Sequence, residues 1–249
     1  IGLKLRKTFG GKLDFFGIGG AKLDVEVEKF LLKARFPYAV GYGLTETSPL
    51  LSFTLGGNRV PGSIGVPVYG VELKLDNINP QTGEGEIVAK GPNVMMGYYK
   101  DADRTAKVFN SDGWFRTNDL AVLDAKGNYS IRGRLSNMIL GSSGENIYPE
   151  EIEQVINNID VVDESIVLSR GNKLVALVTF NEDVLDWDHS GEAEFLKKVE
   201  ECKSNILSIV NGKVNRSSRL SAVQVLQEPF EKTATRKIRR FKYVNVEGI

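Results

Sequence analysis

Cysteine occurs once in the 249 residues, at Cys202, and histidine once, at His189. A lone thiol excludes an internal disulfide, and a single imidazole leaves nothing from which to build a zinc cluster. Neither sign of charge is in excess, since 32 basic side chains meet 32 acidic ones; no bulk field draws the chain to nucleic acid or to a membrane surface. There is also no apolar run near the roughly 20 residues that a bilayer span requires, and no signal-peptide core behind the opening IGLKLRKTFGGK. Together with the missing initiator Met, these absences read as a fragment of a cytoplasmic protein. What is present, 41% apolar and 26% charged residues, is the composition of an ordinary globular chain with length for more than one domain.

The stretch GYGLTETSPLL, residues 41–51, follows RFPYAV, which reads as a short strand. Gly41 and Gly43 permit a sharp turn and a close approach by a ligand. Thr45 beside Glu46 pairs a hydroxyl that can donate to phosphate with a carboxylate that can ligate Mg²⁺, although a polar turn would look the same. Upstream, KLDFFGIGG is strand-like, and DVEVEKFLLKA places Val27, Phe30, Leu31 and Ala34 on one helical face behind Asp24 as N-cap. Strand, glycine turn, helix and strand make an α/β pattern with ligand sites at the turns. From Gly65 to Arg134, short alternating runs separated by QTGEGE and DAKGN predict a small antiparallel barrel or sheet.

After Arg134 a polar joint and a glycine-rich loop precede a helix with Pro149 in its first turn and Ile152, Val155, Ile156 and Ile159 on one face. A hairpin around RGNK, a second helix and the strand AVQVL follow, so the remainder is a small α+β domain. Cys202 falls on the apolar face of that second helix and reads as a core residue, while His189, between Asp188 and Ser190, reads as a solvated loop residue.

Six stretches in order, GIGGAKL, GYGLTETSPL, GEGEIVAKGPNVMMGYYKD, GWFRTNDLAVLDAKGNYSIRGR, NMILGSSGENIYPEEIE and EKTATRKIRR, resemble the adenylate-forming, AMP-binding enzymes, and among them the bacterial long-chain fatty acid–CoA ligases. The resemblance implies the remainder of a large α/β domain with a barrel-like antiparallel subdomain over residues 1–134. It implies a mobile α+β C-terminal domain over 137–249, with a hinge at 134–137 centred on Ser136. It also implies an upstream part of the same enzyme bearing a phosphate loop. The activity implied is ATP-dependent activation of a fatty acid as acyl-AMP and transfer to CoA, with ATP, Mg²⁺ and CoA as ligands, no nucleic acid, and transient membrane association through the acyl substrate. An acyl carrier protein as acceptor, or a non-catalytic nucleotide-binding or interaction module, are the alternatives.

Carried over residue by residue, the resemblance gives Thr45 to phosphate and Glu46 to the metal. It gives Tyr42 and Gly43 to the nucleotide, with the flat face of Tyr42 against adenine, and Gly19, Gly20 and Ala21 to the base edge. Asp119 takes the ribose hydroxyls, since a carboxylate offers two oxygens with about four lone-pair sites, and Arg134 takes ribose or phosphate. Lys237 is the catalytic lysine and Gly144 lines the thiol channel. Read without the resemblance, Tyr42 is a core aromatic at a strand end, Asp119 and Arg134 a surface ion pair, and Lys237 part of a cationic tail. The chain departs from the family pattern at Asn118 and Arg236, where glycine is common, at Glu231, where proline is common, and at Ser136, where Asp or Lys is usual.

Overall fold

A computed structural model describes residues 2–54, 56, 59–141, 143–181 and 192–244, with the side chains of residues 192 and 193 excepted. Within it the chain divides into two units, Ile1–Ser136 and Asn137–Ile249. In the first unit, helix α1 (Gly2–Thr8) leads to strand β1 (Phe16–Ile18), and helix α2 (Val25–Lys33) carries the chain to β2 (Tyr38–Gly43). The two strands pair in parallel, Phe16 opposite Tyr38 and Ile18 opposite Val40, as the strand–turn–helix–strand reading requires. Asp24 caps α2 by accepting from the amides of Glu26 and Val27 at 2.8 and 3.0 Å, which satisfies donors that the first helical turn leaves unpaired.

The buried face of α2 differs from expectation. Val27 and Phe30 are 47% and 46% exposed, and Glu28 is the buried residue at 1%. A carboxylate tolerates that position because the Tyr38 hydroxyl (3.2 Å) and the Gly62 amide (2.7 Å) donate to it. Burial still raises Glu28 above the usual carboxylate range, and burial together with the adjacent Glu28 pushes Tyr38 up to about 12.

Strand β2 does not stop at its glycines. It runs through Gly43 and pairs antiparallel with β3 (Leu50–Phe53), Gly41 opposite Phe53. A Cβ on Gly43 would overlap the Pro49 carbonyl, and one on Gly41 would lie 2.9 Å from Leu50 Cδ1. The close approach these glycines serve is therefore the return of the chain itself. Strand β4 (Val66–Pro67) completes a sheet in the order β1-β2-β3-β4.

The second sheet contains β5 (Glu72–Asp76) and β6 (Gly85–Lys90); helix α3 (Ala102–Val108) then precedes β7 (Phe115–Leu123) and β8 (Tyr129–Arg134). Its order is β5-β6-β7-β8 with every neighbour antiparallel. Of the two alternatives read from the sequence, barrel or sheet, the structure has the sheet: the strands form an open meander in which β5 and β8 do not pair, and no closed barrel occurs among the described residues. Ile87, Ala89 and Ala121 of this sheet share a core with Tyr42, Leu51 and Ile64, which fixes β7 beside the end of β2.

In the second unit, the short strands β9 (Ile139–Leu140) and β10 (Asn146–Ile147) flank the glycine loop and lead to helix α4 (Pro149–Asn157). Proline occupies the first helical turn, and Ile152 and Ile156 are buried. Strands β11 (Val162–Arg170) and β12 (Lys173–Phe180) form the RGNK hairpin, whose Gly171 and Asn172 have φ of 53° and 63°, the two left-handed residues of a tight hairpin turn. Helix α5 (Glu192–Lys213) crosses to β13 (Leu220–Val225), which pairs parallel to β12.

Every residue of β12 after Lys173 is buried, because both faces of this three-stranded sheet are covered. Helices α4 and α5 supply Ile152, Ile156, Ile206 and Val210 to one face, and the C-terminal segment supplies Phe230, Ile238 and Tyr243 to the other. Cys202 packs against the first of these cores, and burial raises its thiol. His189 lies outside the described residues. Among those described, no helix is long and apolar enough to cross a membrane.

Candidate functional site

Because β1 and β2 are parallel, the loops that follow them leave the same end of the pair, the end at which ligands bind open α/β sheets. The first loop is Gly19–Gly20–Ala21, with Gly20 at φ 87° and Gly19 against the Gly41 carbonyl, where a Cβ would lie 3.3 Å away. The second begins at Leu44. Its 3-10 turn Thr45–Thr47 is locked by the buried Thr47, whose hydroxyl accepts from the Leu44 amide (3.0 Å) and donates to the Pro49 carbonyl (2.6 Å). Asn93 adds two bonds of 2.8 Å, to the carbonyls of Thr47 and Leu50.

This scaffold leaves Thr45 exposed and Glu46 half-buried. Glu46 Oε1 accepts from the Tyr98 hydroxyl at 2.9 Å, and Arg104 stacks over the Tyr98 ring at 4.0 Å. Burial and then Glu46 itself hold the Tyr98 hydroxyl above its ordinary pKa, so Tyr98 remains a donor to this carboxylate. Tyr98 lies inside the GPNVMMGYYKD motif, but its partner emerges only once the chain is folded. Among the described residues there is no cluster of three or more metal-ligating side chains. Glu46 is thus a single carboxylate with one oxygen engaged, a donor set compatible with Mg²⁺ held chiefly by phosphate and water.

Asp119 sits on β7 opposite Arg134 on β8. It is 5% exposed, accepts from the Tyr42 hydroxyl at 2.7 Å through Oδ2, and meets Arg134 Nε at 3.2 Å through Oδ1. Tyr42, Asp119 and Arg134 are therefore brought together as one cluster. The Tyr42 ring is 8% exposed and packs in the core, with its hydroxyl bonded to Asp119. Burial, reinforced by Asp119, holds that hydroxyl well above its usual pKa.

The residue before Asp119 is Asn118, at φ 64°. Its amide donates to Glu86 Oε1 (3.0 Å), and Glu86 is held in turn by the Nε and Nη2 of Arg116 at 2.9 and 2.6 Å. Glu86 and Arg116 were not singled out from sequence.

In the second unit, Lys237 lies on a tight turn. The Thr233 amide donates to the Lys237 carbonyl (2.8 Å), the Lys237 amide to Thr233 Oγ1 (3.1 Å), and Lys232 bridges Ile238. Arg236 is at φ 60°, so the turn forms with arginine in the conformation that glycine adopts most cheaply. The flanking charges are paired: Lys232 with Glu164 (2.7 Å), Arg239 with Glu231 (3.1 Å), Lys242 with Glu231, and Arg240 with the buried Glu153. Lys237 itself is exposed.

Gly144, at φ 84°, is in the loop between β9 and β10, with open space where a Cβ would be. Gly141, Ser143 and Glu145 of that loop line a cavity of about 650 Å³ together with Lys173, Arg216 and Arg219.

Residues 3–99 match the AMP-binding enzyme family and residues 136–245 its C-terminal domain. The long-chain-fatty-acid–acyl-carrier-protein ligase AEE15 of Arabidopsis thaliana is 32% identical over 248 residues, covering 89% of this chain and 33% of that one. Peroxisomal long chain acyl-CoA synthetase 6 of the same plant is 33% identical over 252 residues, with coverages of 91% and 36%. A long-chain-fatty-acid–CoA ligase of Escherichia coli is 40% identical over 156 residues, with coverages of 58% and 28%. The chain thus spans about a third of the length of these curated relatives. The solved structure of the ATP-bound RpMatB–BxBclM chimera B3 shares the fold with a TM-score of 0.71 at 25% identity, over 96% of this chain and 46% of that one. ATP-bound MatB from Rhodopseudomonas palustris does so with a TM-score of 0.73 at 24% identity, over the same fractions. With both family patterns following one another in order across this fold, the chain belongs to the AMP-binding enzymes.

Proposed function

We propose that this chain is the nucleotide-holding and lysine-bearing portion of an ATP-dependent acid–thiol ligase that activates a long-chain fatty acid. In the first step a carboxylate oxygen of the acid attacks the α-phosphorus, the bond to the bridging oxygen breaks, and pyrophosphate leaves. In the second step the thiol of CoA attacks the acyl carbon, AMP leaves, and the thiol proton passes to solvent. Both steps concentrate negative charge, so the residues act by positioning and electrostatic stabilisation.

The observation that carries this reading is the buried Asp119 carboxylate anchored by Tyr42 and Arg134, an acceptor of the kind that would take the ribose hydroxyls. Thr45 would donate to phosphate and Glu46 would hold Mg²⁺, which supplies charge neutralisation when bound. Lys237, a compact ammonium on a flexible stem, would bridge the attacking carboxylate and the α-phosphate. The loop at Gly144 would line the path of the acceptor thiol, and the cationic side chains of Lys173, Arg216 and Arg219 beside it suit a phosphate-bearing acceptor. Ser136 would be the hinge about which the second unit turns between the steps.

CoA and the phosphopantetheine of a carrier protein share that chemistry, and one of the relatives is by name an acyl-carrier-protein ligase. Supplying each acceptor to a protein containing this chain distinguishes the two. The nucleotide reading is tested by titrating the 249-residue chain with AMP. Saturable binding is expected, weakened about 10- to 100-fold by Asp119→Asn through loss of a charge-assisted bond. Equal affinity in the two proteins would reject it.

A further inference from the structure

The first unit ends in three consecutive residues, and each is tied to the same dipeptide on β7. Arg134 reaches the Asp119 carboxylate at 3.2 Å. The Leu135 amide donates to the Asn118 carbonyl at 2.9 Å. The Asn118 carboxamide Nδ2 donates to Ser136 Oγ at 2.8 Å. The next residue, Asn137, belongs to the second unit. Asn118 is itself tied at three points: its amide is held by Glu86, its carbonyl by Leu135 and its side chain by Ser136, at a φ of 64° that Asn tolerates better than most non-glycine residues.

We propose that Asn118 is a positioning residue that latches the joint between the units, so that what Asp119 holds and how freely the chain turns at Ser136 are one coupled equilibrium. The coupling part rests on the nucleotide reading of Asp119. Its physical basis is short: Asn118 and Asp119 are adjacent on a strand, and Arg134, Leu135 and Ser136 are adjacent on the segment that leaves it. A ligand that fixes Asp119 and Arg134 together therefore also fixes the frame from which the Asn118 amide reaches Ser136. By reciprocity, freeing the joint lowers affinity for that ligand by the factor with which the ligand stills the joint.

The test is amide exchange at Leu135–Asn137 in the 249-residue chain, with and without AMP. Ser136→Ala removes the acceptor, and Asn118→Gly removes the donor while keeping the left-handed backbone at no steric cost. Each is expected to speed exchange at the joint about three- to tenfold, the range that one net hydrogen bond commands, with β6 amides unchanged. The double variant should match the singles, since both remove the same bond, and Ser136→Thr should behave as the parent. AMP should slow the joint in the parent and lose that effect in the variants. Multiplicative single effects, a Thr variant as fast as Ala, or unaltered exchange would overturn the latch. AMP that binds by calorimetry yet leaves the parent's joint unchanged would overturn the coupling. Absence of AMP binding would reject the nucleotide reading and the coupling with it, while the nucleotide-free arms decide the latch.

Discussion

Tyr98 illustrates how one hydroxyl sets the behaviour of a carboxylate in the preceding motif. Its bond engages Glu46 Oε1, and on the proposed reading the other oxygen would be the one to hold Mg²⁺. Tyr98→Phe removes that bond, and about a threefold rise in the Mg²⁺ needed for half-maximal acyl-AMP formation is expected, with kcat restored at saturating Mg²⁺. A Mg²⁺ titration of a protein containing this chain checks it; an unmoved midpoint would mean that Glu46 holds no metal in this geometry. Asp119→Ala is a poorer probe than Asp119→Asn, because it removes the Asp119 acceptor of the buried Tyr42 hydroxyl as well as the charge. Asp119 and Arg134 were legible in the sequence as motif residues. The buried Glu28 was not, because its burial depends on what the first sheet and the loop at Gly62 place around it, and a carboxylate on an amphipathic helix reads as its solvent face.

The turn that carries Lys237 is held by elements distant in sequence. Glu153 on α4 accepts from the Val167 amide of β11 at 2.6 Å and pairs with Arg240, so one buried carboxylate joins helix, sheet and turn. Burial raises Glu153 despite the opposing pull of Arg240. Glu153→Ala leaves a buried amide and a guanidinium unpaired, and a loss of about 3–5 kcal/mol in urea unfolding is expected. Within the turn, Arg236→Gly relieves a left-handed arginine and should gain about 0.5–1 kcal/mol in the same measurement. Glu231 responds to pH in the opposite sense to Glu153. The bond from Lys242 depresses its pKa below the ordinary 4.5, so its contribution is present above that value and is lost as pH falls through the depressed one. Exchange protection of the turn should fall correspondingly in acid, and Glu231→Gln should abolish that pH dependence. Strand, hairpin and helix positions in this unit were readable from apolar periodicity and from RGNK. The open edge of the β5–β8 sheet was not, since closure depends on whether the first and last strands meet, and alternation within each strand is the same either way.

At the scale of the whole molecule, the second unit closes both of its cores with its own residues. Residues 137–249 alone should therefore unfold cooperatively with dispersed amide resonances, and a collapsed spectrum would refute this. The division of labour between α4 and α5 on one face and the C-terminal segment on the other has a consequence for what selection can alter. Phe230 is 3% exposed and stacks edge-on with Tyr243 at 5.2 Å, and between these two anchors lies Lys237. The stretch that presents the lysine is thus also the roof over Ile166, Leu168 and Leu177. Deleting it would uncover an apolar sheet face and turn the remainder into a self-associating surface. A lineage that replaced Lys237 could not shed the segment along with it: one side chain changes by a single substitution, whereas the stretch that bears it covers an apolar sheet face.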